Sequence, residues 1–206
     1  MDQKTTSQLE LTLYAEATLP TVFGEFSLSV YRDQKDHEGA ILISKNFTAH
    51  AQPFVRVHSE CFTGEVLGSL KCDCRDQLNL ALFEIQKRGA GAVIYLRQEG
   101  RGIGLGNKIR AYHLQNQGAN TIEANHQLGF ETDLRSFEAA ALILRDKGVR
   151  SISLNTNNPE KIQALINLGI EVVERVPSLT TVNPHNKDYL RAKMMHLGHH
   201  LQGLFI

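Results

Sequence analysis

Apolar and polar positions alternate through the first third of the chain, and the spacing then becomes helical. From residue 9 to about residue 31 the alternation runs on both sides of Pro20-Thr21-Val22-Phe23-Gly24, which predicts a strand, a turn and a returning strand. Ala40-Ile41-Leu42-Ile43 and Phe54-Val55-Arg56-Val57 predict two more strands. Beyond Cys74, Leu78, Leu82 and Ile85 recur at helical spacing, and Gly89 follows as a stop signal. The apolar run Ala92-Val93-Ile94-Tyr95-Leu96 has the length of a buried strand. A glycine-rich loop then leads to a helix over about 107–117, before Gly118. Asp133 is placed to cap a helix over 134–147 that Gly148 closes. A strand over 151–154, a helix over 159–168, a strand over 171–173 and a last helix over about 187–197 complete the pattern. The expected fold is α/β (α+β): a single domain over 1–206, its mixed sheet built from an antiparallel N-terminal meander and flanked by helices. Residues 1–8 are expected to be flexible and 198–206 to form a C-terminal tail.

Composition narrows the class of function. The 206 residues carry 22 basic and 22 acidic side chains, and this neutral balance argues against a dedicated nucleic-acid or membrane-surface binder. No stretch approaches the roughly 18 uninterrupted apolar residues of a membrane span. The first residues, Met1-Asp2-Gln3-Lys4-Thr5-Thr6-Ser7, lack the apolar core of a signal peptide, so a cytoplasmic location is expected.

Three cysteines do not make a disulfide framework. Cys72-Asp73-Cys74 offers two thiols one residue apart, and Cys61 lies eleven positions earlier, across a stretch that reads as a loop. Thiolates favour zinc, and three protein ligands leave the fourth tetrahedral position for water, which is the catalytic arrangement. Two other readings stay open on spacing alone. His58 could close a structural Cys₃His site, or the thiols could be unrelated buried side chains.

Gly100-Arg101-Gly102-Ile103-Gly104-Leu105-Gly106-Asn107-Lys108 follows a predicted strand and opens a predicted helix, a context that suits phosphate. The loop fits neither a P-loop nor a dinucleotide fingerprint, and its alternative is a flexible surface loop. Arg101 inside it, with Arg97, Lys108 and Arg110 beside it, favours anion binding. Thr156-Asn157-Asn158-Pro159-Glu160-Lys161 is a second candidate, with proline at the first turn of a helix.

These residues resemble the GTP cyclohydrolase II family of riboflavin biosynthesis. The likeness rests on Arg56-Val57-His58-Ser59-Glu60-Cys61 with Cys72-Asp73-Cys74, on Arg97-Gln98-Glu99-Gly100-Arg101-Gly102-Ile103-Gly104-Leu105, on Asn107-Lys108-Ile109-Arg110-Ala111-Tyr112 and on Thr156-Asn157-Asn158-Pro159. Weaker likenesses at Leu19-Pro20-Thr21 and Met195-His196-Leu197-Gly198-His199 extend it over nearly the whole chain. The resemblance implies that Cys61, Cys72 and Cys74 hold Zn²⁺ and that GTP loses formate from C8, and pyrophosphate, to give a diaminopyrimidinone ribosylamino phosphate. It implies Mg²⁺ on the triphosphate and a homodimer. Tyr112 matches a tyrosine that orients water or purine. Arg56, Val57, His58, Ser59, Glu60, Gln77, Glu99, Gly100, Arg101, Thr121, Thr156 and Lys161 match nucleotide-binding positions, Glu99 being suited to accept from guanine. Asp133 and Arg135 match the family's proposed base and nucleophile. Because a guanidinium keeps its proton above pH 12, a clamp on the leaving pyrophosphate accounts for Arg135 as well. The chain departs from the family's pattern at Arg75, Gly106, Ser136 and Asn155, of which Arg75, beside a metal ligand, matters most.

Overall fold

The computed structural model describes residues 9–119, 121–131, 133–201 and 204, the side chains of 121, 122, 196 and 197 excepted. The expected flexible start, residues 1–8, lies outside the described residues, as do 202, 203, 205 and 206 of the expected tail.

Strands β1 (Leu11–Thr21) and β2 (Gly24–Asp33) form the predicted hairpin, closed by a two-residue turn. At that turn Thr21 Oγ1 accepts from Phe23 N and donates to Gly24 O. β3 (Glu38–Lys45) continues the antiparallel meander and pairs with β5 (Gly91–Leu96). β4 (Phe54–Ser59), β6 (Ser151–Asn155) and β7 (Glu171–Val176) add the parallel half. The result is one seven-stranded mixed sheet of order β1-β2-β3-β5-β4-β6-β7, as the periodicity predicts.

Helices cover both faces. Alternation along β4 sends Val55 and Val57 into a core with Leu42, Ile94, Ile143, Leu144 and Leu154, on the side of α5 (Glu138–Asp146) and α6 (Pro159–Asn167). Phe54 points the other way, into a smaller core with Phe26, Ala81, Ile85 and Val93 under α2 (Cys74–Arg88). Each large aliphatic side chain fully buried in this way stabilises the fold by roughly 1.5–3 kcal/mol. By the same period of two, Arg56 and His58 share the face of Phe54.

The topology opens a crevice. The chain leaves β4 for β5 on one side and returns to β6 on the other, so the order reverses between β4 and β6. Those two strands pair only at Phe54–Ser153 and Val55–Leu154, and a crevice beyond the carboxyl ends of strands at such a reversal is where open α/β sheets bind ligands.

Three local readings change. The stretch expected as a loop after Cys61 contains a short helix, α1 (Phe62–Glu65), and an unexpected helix, α4 (Thr121–Gln127), follows α3 (Gly104–Asn116), which starts inside the glycine-rich loop. α5 begins at Glu138, so Asp133 does not cap it. The reason is that the intervening backbone is spoken for: Leu134 N donates to Arg101 O, Arg135 N to Asp133 Oδ1, and Ser136 N to Gln98 Oε1. The last helix, α7 (Lys187–Leu197), has its predicted bounds.

Candidate active site

Cys61 lies just beyond the carboxyl end of β4, while Cys72 and Cys74 lead into α2. Their sulfurs all fall within 4.8 Å of one another, and Cys61 Sγ is 3.6 Å from Cys72 Sγ. Two thiolates about 2.3 Å from a tetrahedral zinc stand about 3.8 Å apart, so this spacing fits the ion. Gly64 faces the cluster: a Cβ there would lie 2.8 Å from Cys72 Sγ and 3.2 Å from Cys61 Sγ. The cluster holds a shared negative charge. Hydrogen bonds from Cys72 and then Cys74, with Lys108 assisting, pull the Cys61 thiol down, while the same bonds push Cys72 and Cys74 up. The donor set is soft, close and anionic, which suits zinc.

His58 does not join it. Arg56 Nε donates to His58 Nδ1 at 2.9 Å, which leaves the proton on Nε2, 2.7 Å from Glu65 Oε1. Burial, then Arg56 and Lys161, hold this imidazole neutral, and Tyr95 stacks on it at 5.7 Å. Tyr95 OH donates to the second oxygen of Glu65. The ligand group among the described residues is therefore the three thiols, and the Cys₃His alternative is not what the fold builds.

Lys108 reaches the cysteine cluster. Its ammonium donates to Cys61 Sγ at 3.2 Å, Thr63 Oγ1 at 2.8 Å and Glu99 Oε1 at 2.9 Å. Glu99, buried, also accepts from Phe62 N and Gly100 N. Both its oxygens are thus engaged in holding α1 and the glycine-rich loop to the lysine. Arg75 donates to Glu65 O and Val66 O, satisfying the open carbonyls of α1. The departure beside Cys74 is thereby a helix cap, its guanidinium held by α1. Asn155, another departure, accepts from Arg56 and donates to Val176 O and Pro177 O. Gly106 has open space around it, and Ser136 Oγ accepts from Glu138 N.

The thiols and Tyr112 line a cavity of about 530 Å³ that is rich in cations. Arg101, Arg135, Lys161 and Lys193 all face it. Their charges act together on His199, which burial first, and then these four cations, pull down to about 3. Lys161 is lowered by burial and then by Arg135, Arg56 and Lys193, although its ammonium donates to Val57 O at 2.7 Å. Arg101 sits in the left-handed region at φ 62, beside Gly100 at φ 64, and its Nη1 is buried without a hydrogen-bond partner among the described residues. Strain and an unpaired buried donor in one residue are signs of a ligand position. Gly102 permits this turn: at φ 91, a Cβ would lie 3.1 Å from the Leu134 backbone. Asp133 grips Arg135 through Nε (2.9 and 3.0 Å) and one terminal nitrogen (2.5 Å). Burial raises the Asp133 carboxyl, but the bonds from Arg135 outweigh it and hold it low; burial likewise lowers Arg135, and Asp133 outweighs that. Both stay ionised.

Of the expected site residues, the cavity is lined by Arg56, His58, Ser59, Glu60, Cys61, Cys72, Cys74, Gln77, Glu99, Gly100, Arg101, Tyr112, Arg135, Thr156 and Lys161. The Val57 side chain is in the core and only its carbonyl reaches the site, through Lys161. Asp133 acts from behind Arg135, and the side chain of Thr121 is outside the described residues. Arg97 and Arg110 do not face the cavity: Arg97 stands near Glu38 and Glu60, and Arg110 donates to Asn107. The contribution of α7, with Tyr189 and Lys193, was not signalled by any motif.

The sequence matches the profile of the family described as GTP cyclohydrolase II over residues 12–177. It is 48% identical over 192 residues to GTP cyclohydrolase-2 of Teredinibacter turnerae, covering 92% of this chain and 96% of that one. It is 50% identical over 185 residues to GTP cyclohydrolase-2 of Campylobacter fetus, covering 90% and 93%. It is also 50% identical over 190 residues to the riboflavin biosynthesis protein RibBA of Bacillus cereus, covering 92% of this chain and 48% of that protein. With its cysteine cluster and cations meeting in one cavity, the chain belongs to the GTP cyclohydrolase II family.

Proposed function

We propose that this protein hydrolyses GTP, opening the imidazole ring at C8 with loss of formate and of pyrophosphate, as the entry step of riboflavin biosynthesis. The observation that carries the proposal is the sharing of one cavity by three convergent thiols and a set of cations that includes Arg101, Arg135, Lys161 and Lys193, at the carboxyl ends of the parallel strands. Such a cavity accommodates a molecule with a reactive ring at one end and a polyphosphate at the other.

Cys61, Cys72 and Cys74 would hold the zinc, which when bound supplies a hydroxide nucleophile by bringing the pKa of its water to about 7. The purine then lies against Tyr112, whose phenol burial pushes up to about 12. It stays protonated at neutral pH and can donate a hydrogen bond to the ring or to the attacking oxygen. Arg101 offers the unpaired Nη1 to a phosphate oxygen, and Lys161, Lys193 and Arg135 supply the remaining charge. Asp133 occupies Nε and one terminal nitrogen of Arg135, so the guanidinium is fixed and fully protonated. That supports a clamp on the leaving pyrophosphate over a nucleophile. Mg²⁺ carried in on the triphosphate would neutralise further charge during departure. Glu99 braces the loop by accepting from Phe62 N, Gly100 N and Lys108, and its Oε2, which takes only Phe62 N, keeps a lone pair for a guanine N–H.

We further propose a homodimer, in the cytoplasm, with residues 1–206 acting as one domain; no helix among the described residues is long and apolar enough to cross a membrane. The test is to replace each thiol by serine. Cys61→Ser, Cys72→Ser and Cys74→Ser should each lose zinc and formate release together, while retained formate release in a zinc-free variant would overturn the proposal.

A further inference from the structure

We propose that Lys193, on α7, is a positioning residue for the metal-binding turn, and that through its ion pair with Asp73 the docking of α7 over the cavity and the binding of zinc favour one another. The inference rests on the zinc reading of the three thiols. It goes beyond the family match, which ends at residue 177, ten residues before α7 begins at Lys187.

Asp73 stands between two ligands, Cys72 and Cys74, and its side chain has no exposed surface. A carboxylate in that position must be fully partnered. It accepts from Gln77 Nε2 at 2.6 Å, from Thr180 Oγ1 at 3.0 Å and from Lys193 Nζ at 3.3 Å. Only Lys193 brings a full charge, and it comes from the far end of the chain. The lysine is itself largely enclosed, its side chain 11% exposed and its ammonium 4.4 Å from the centre of the Tyr189 ring.

The helix that carries it is firmly seated. Leu190 is fully buried, Asn186 nearly so, and after the helix Leu201 is buried again. His200 N donates to Asn157 O, tying the tail to the loop before α6. From Asp73 the bonding continues inward: Gln77 Oε1 accepts from Arg56, whose Nε donates to His58, whose Nε2 donates to Glu65 of α1. One continuous run of hydrogen bonds therefore passes from α7 behind the thiols to the helix that follows Cys61. Remove Lys193 and the Asp73 carboxylate keeps only neutral donors while remaining in the same buried place. The turn between Cys72 and Cys74 must then shift toward water, and the two sulfurs shift with it.

The linkage works in both directions. Holding the sulfurs on a metal fixes Asp73, which fixes Lys193 and α7; docking α7 fixes Asp73 and preorganises the sulfurs. Since Lys193 and Tyr189 also line the cavity, the docked α7 contributes to the same site whose thiol turn it holds.

The experiment uses the full chain, wild type and the variants Lys193→Met and Lys193→Arg, with two readouts. Zinc affinity is measured by competition with a coloured chelator. Amide hydrogen exchange over residues 187–197 is followed with and without zinc. Outer partners of metal ligands commonly change affinity about 10–100-fold. The expected result is a loss of at least about tenfold in zinc affinity for Lys193→Met, partial recovery in Lys193→Arg, and zinc-dependent protection of α7 in the wild type that Lys193→Met abolishes. If Lys193→Met fails to fold, the exchange of wild-type α7 with and without zinc decides alone. Wild type that binds zinc tightly with unchanged α7 exchange, or Lys193→Met that binds it as tightly, overturns the inference. A wild type that binds no zinc overturns the zinc reading itself.

Discussion

Gly64→Ala is the smallest change that separates the metal site from the fold. Gly64 lies in α1, and its φ is not in the left-handed region, so alanine suits the backbone there. On helix propensity alone the substitution would stabilise by roughly 0.8–1.0 kcal/mol. The added methyl, however, would stand 2.8 Å from Cys72 Sγ and 3.2 Å from Cys61 Sγ. Restoring ordinary contact, at 3.4 Å or more, requires about 0.6 Å of movement at Cys72. Metal–ligand distances tolerate only about ±0.2 Å, so the sulfur cannot move that far and still bond a zinc shared with Cys61 and Cys74. Without metal the thiols can turn aside, and the fold accepts the methyl. The expectation is that apo Gly64→Ala melts within a few degrees of wild type while zinc affinity falls about 10–100-fold, or roughly 1.4–2.8 kcal/mol. Gly106→Ala is the control, because no atom lies within 4 Å of its added Cβ, and its zinc affinity should not change. Both are read by chelator competition and thermal melts. Gly64→Ala with wild-type zinc affinity would refute the proposition that these three sulfurs converge on one ion.

Other consequences are as specific. Glu99→Gln replaces one oxygen by a donor where Phe62 N, Gly100 N and Lys108 already donate, so it should cost about 1–3 kcal/mol of stability in urea unfolding; unchanged stability would contradict the bracing role. Arg135→Met should slow pyrophosphate release by about 10²–10³, and Arg135→Lys should keep a measurable part of it; equal and complete loss in both would favour the nucleophile. His199 is pulled in the fold to about 3 from an ordinary 6.5, so the unfolded chain binds the extra proton between those values. Its contribution to stability is therefore present above pH 6.5 and is lost as pH falls toward 3, and His199→Asn should flatten the acid limb of a urea-midpoint profile; an unchanged slope would contradict the half-buried neutral imidazole.

The strands were legible because each carries its own period, and Cys61, Cys72 and Cys74 stood out as candidates because they are the chain's three cysteines, although spacing alone left their use open until the fold brought the sulfurs together. What the sequence hid is whatever depends on a distant partner. Lys108 looks like a phosphate ligand in a glycine-rich loop, yet the fold turns it to Cys61 and Glu99, 47 and 9 residues away. The bonds that Glu99 accepts from the backbone N–H groups of Phe62 and Gly100 are likewise set by the fold and carry no mark in the sequence. Asp133 has the chemistry of a helix cap, but its carboxylate goes to Arg135 and the neighbouring N–H groups go to the loop. α4, with only seven residues and the polar sequence Thr-Ile-Glu-Ala-Asn-His-Gln, has too few turns for periodicity to register. Arg75, a charge next to Cys74, finds its partners in the carbonyls at the end of α1, which its position in the sequence does not show.

The most direct measurement is the stoichiometry of the full reaction. Zinc-loaded protein is given GTP and Mg²⁺, formate and pyrophosphate are quantified together, and the pyrimidine is weighed by mass spectrometry. Equal release of the two, with a deformylated ribosylamino phosphate as product and loss of both on chelation, is the predicted result. GTP that stays bound and intact, or pyrophosphate released while the formyl carbon remains on the product, would contradict it.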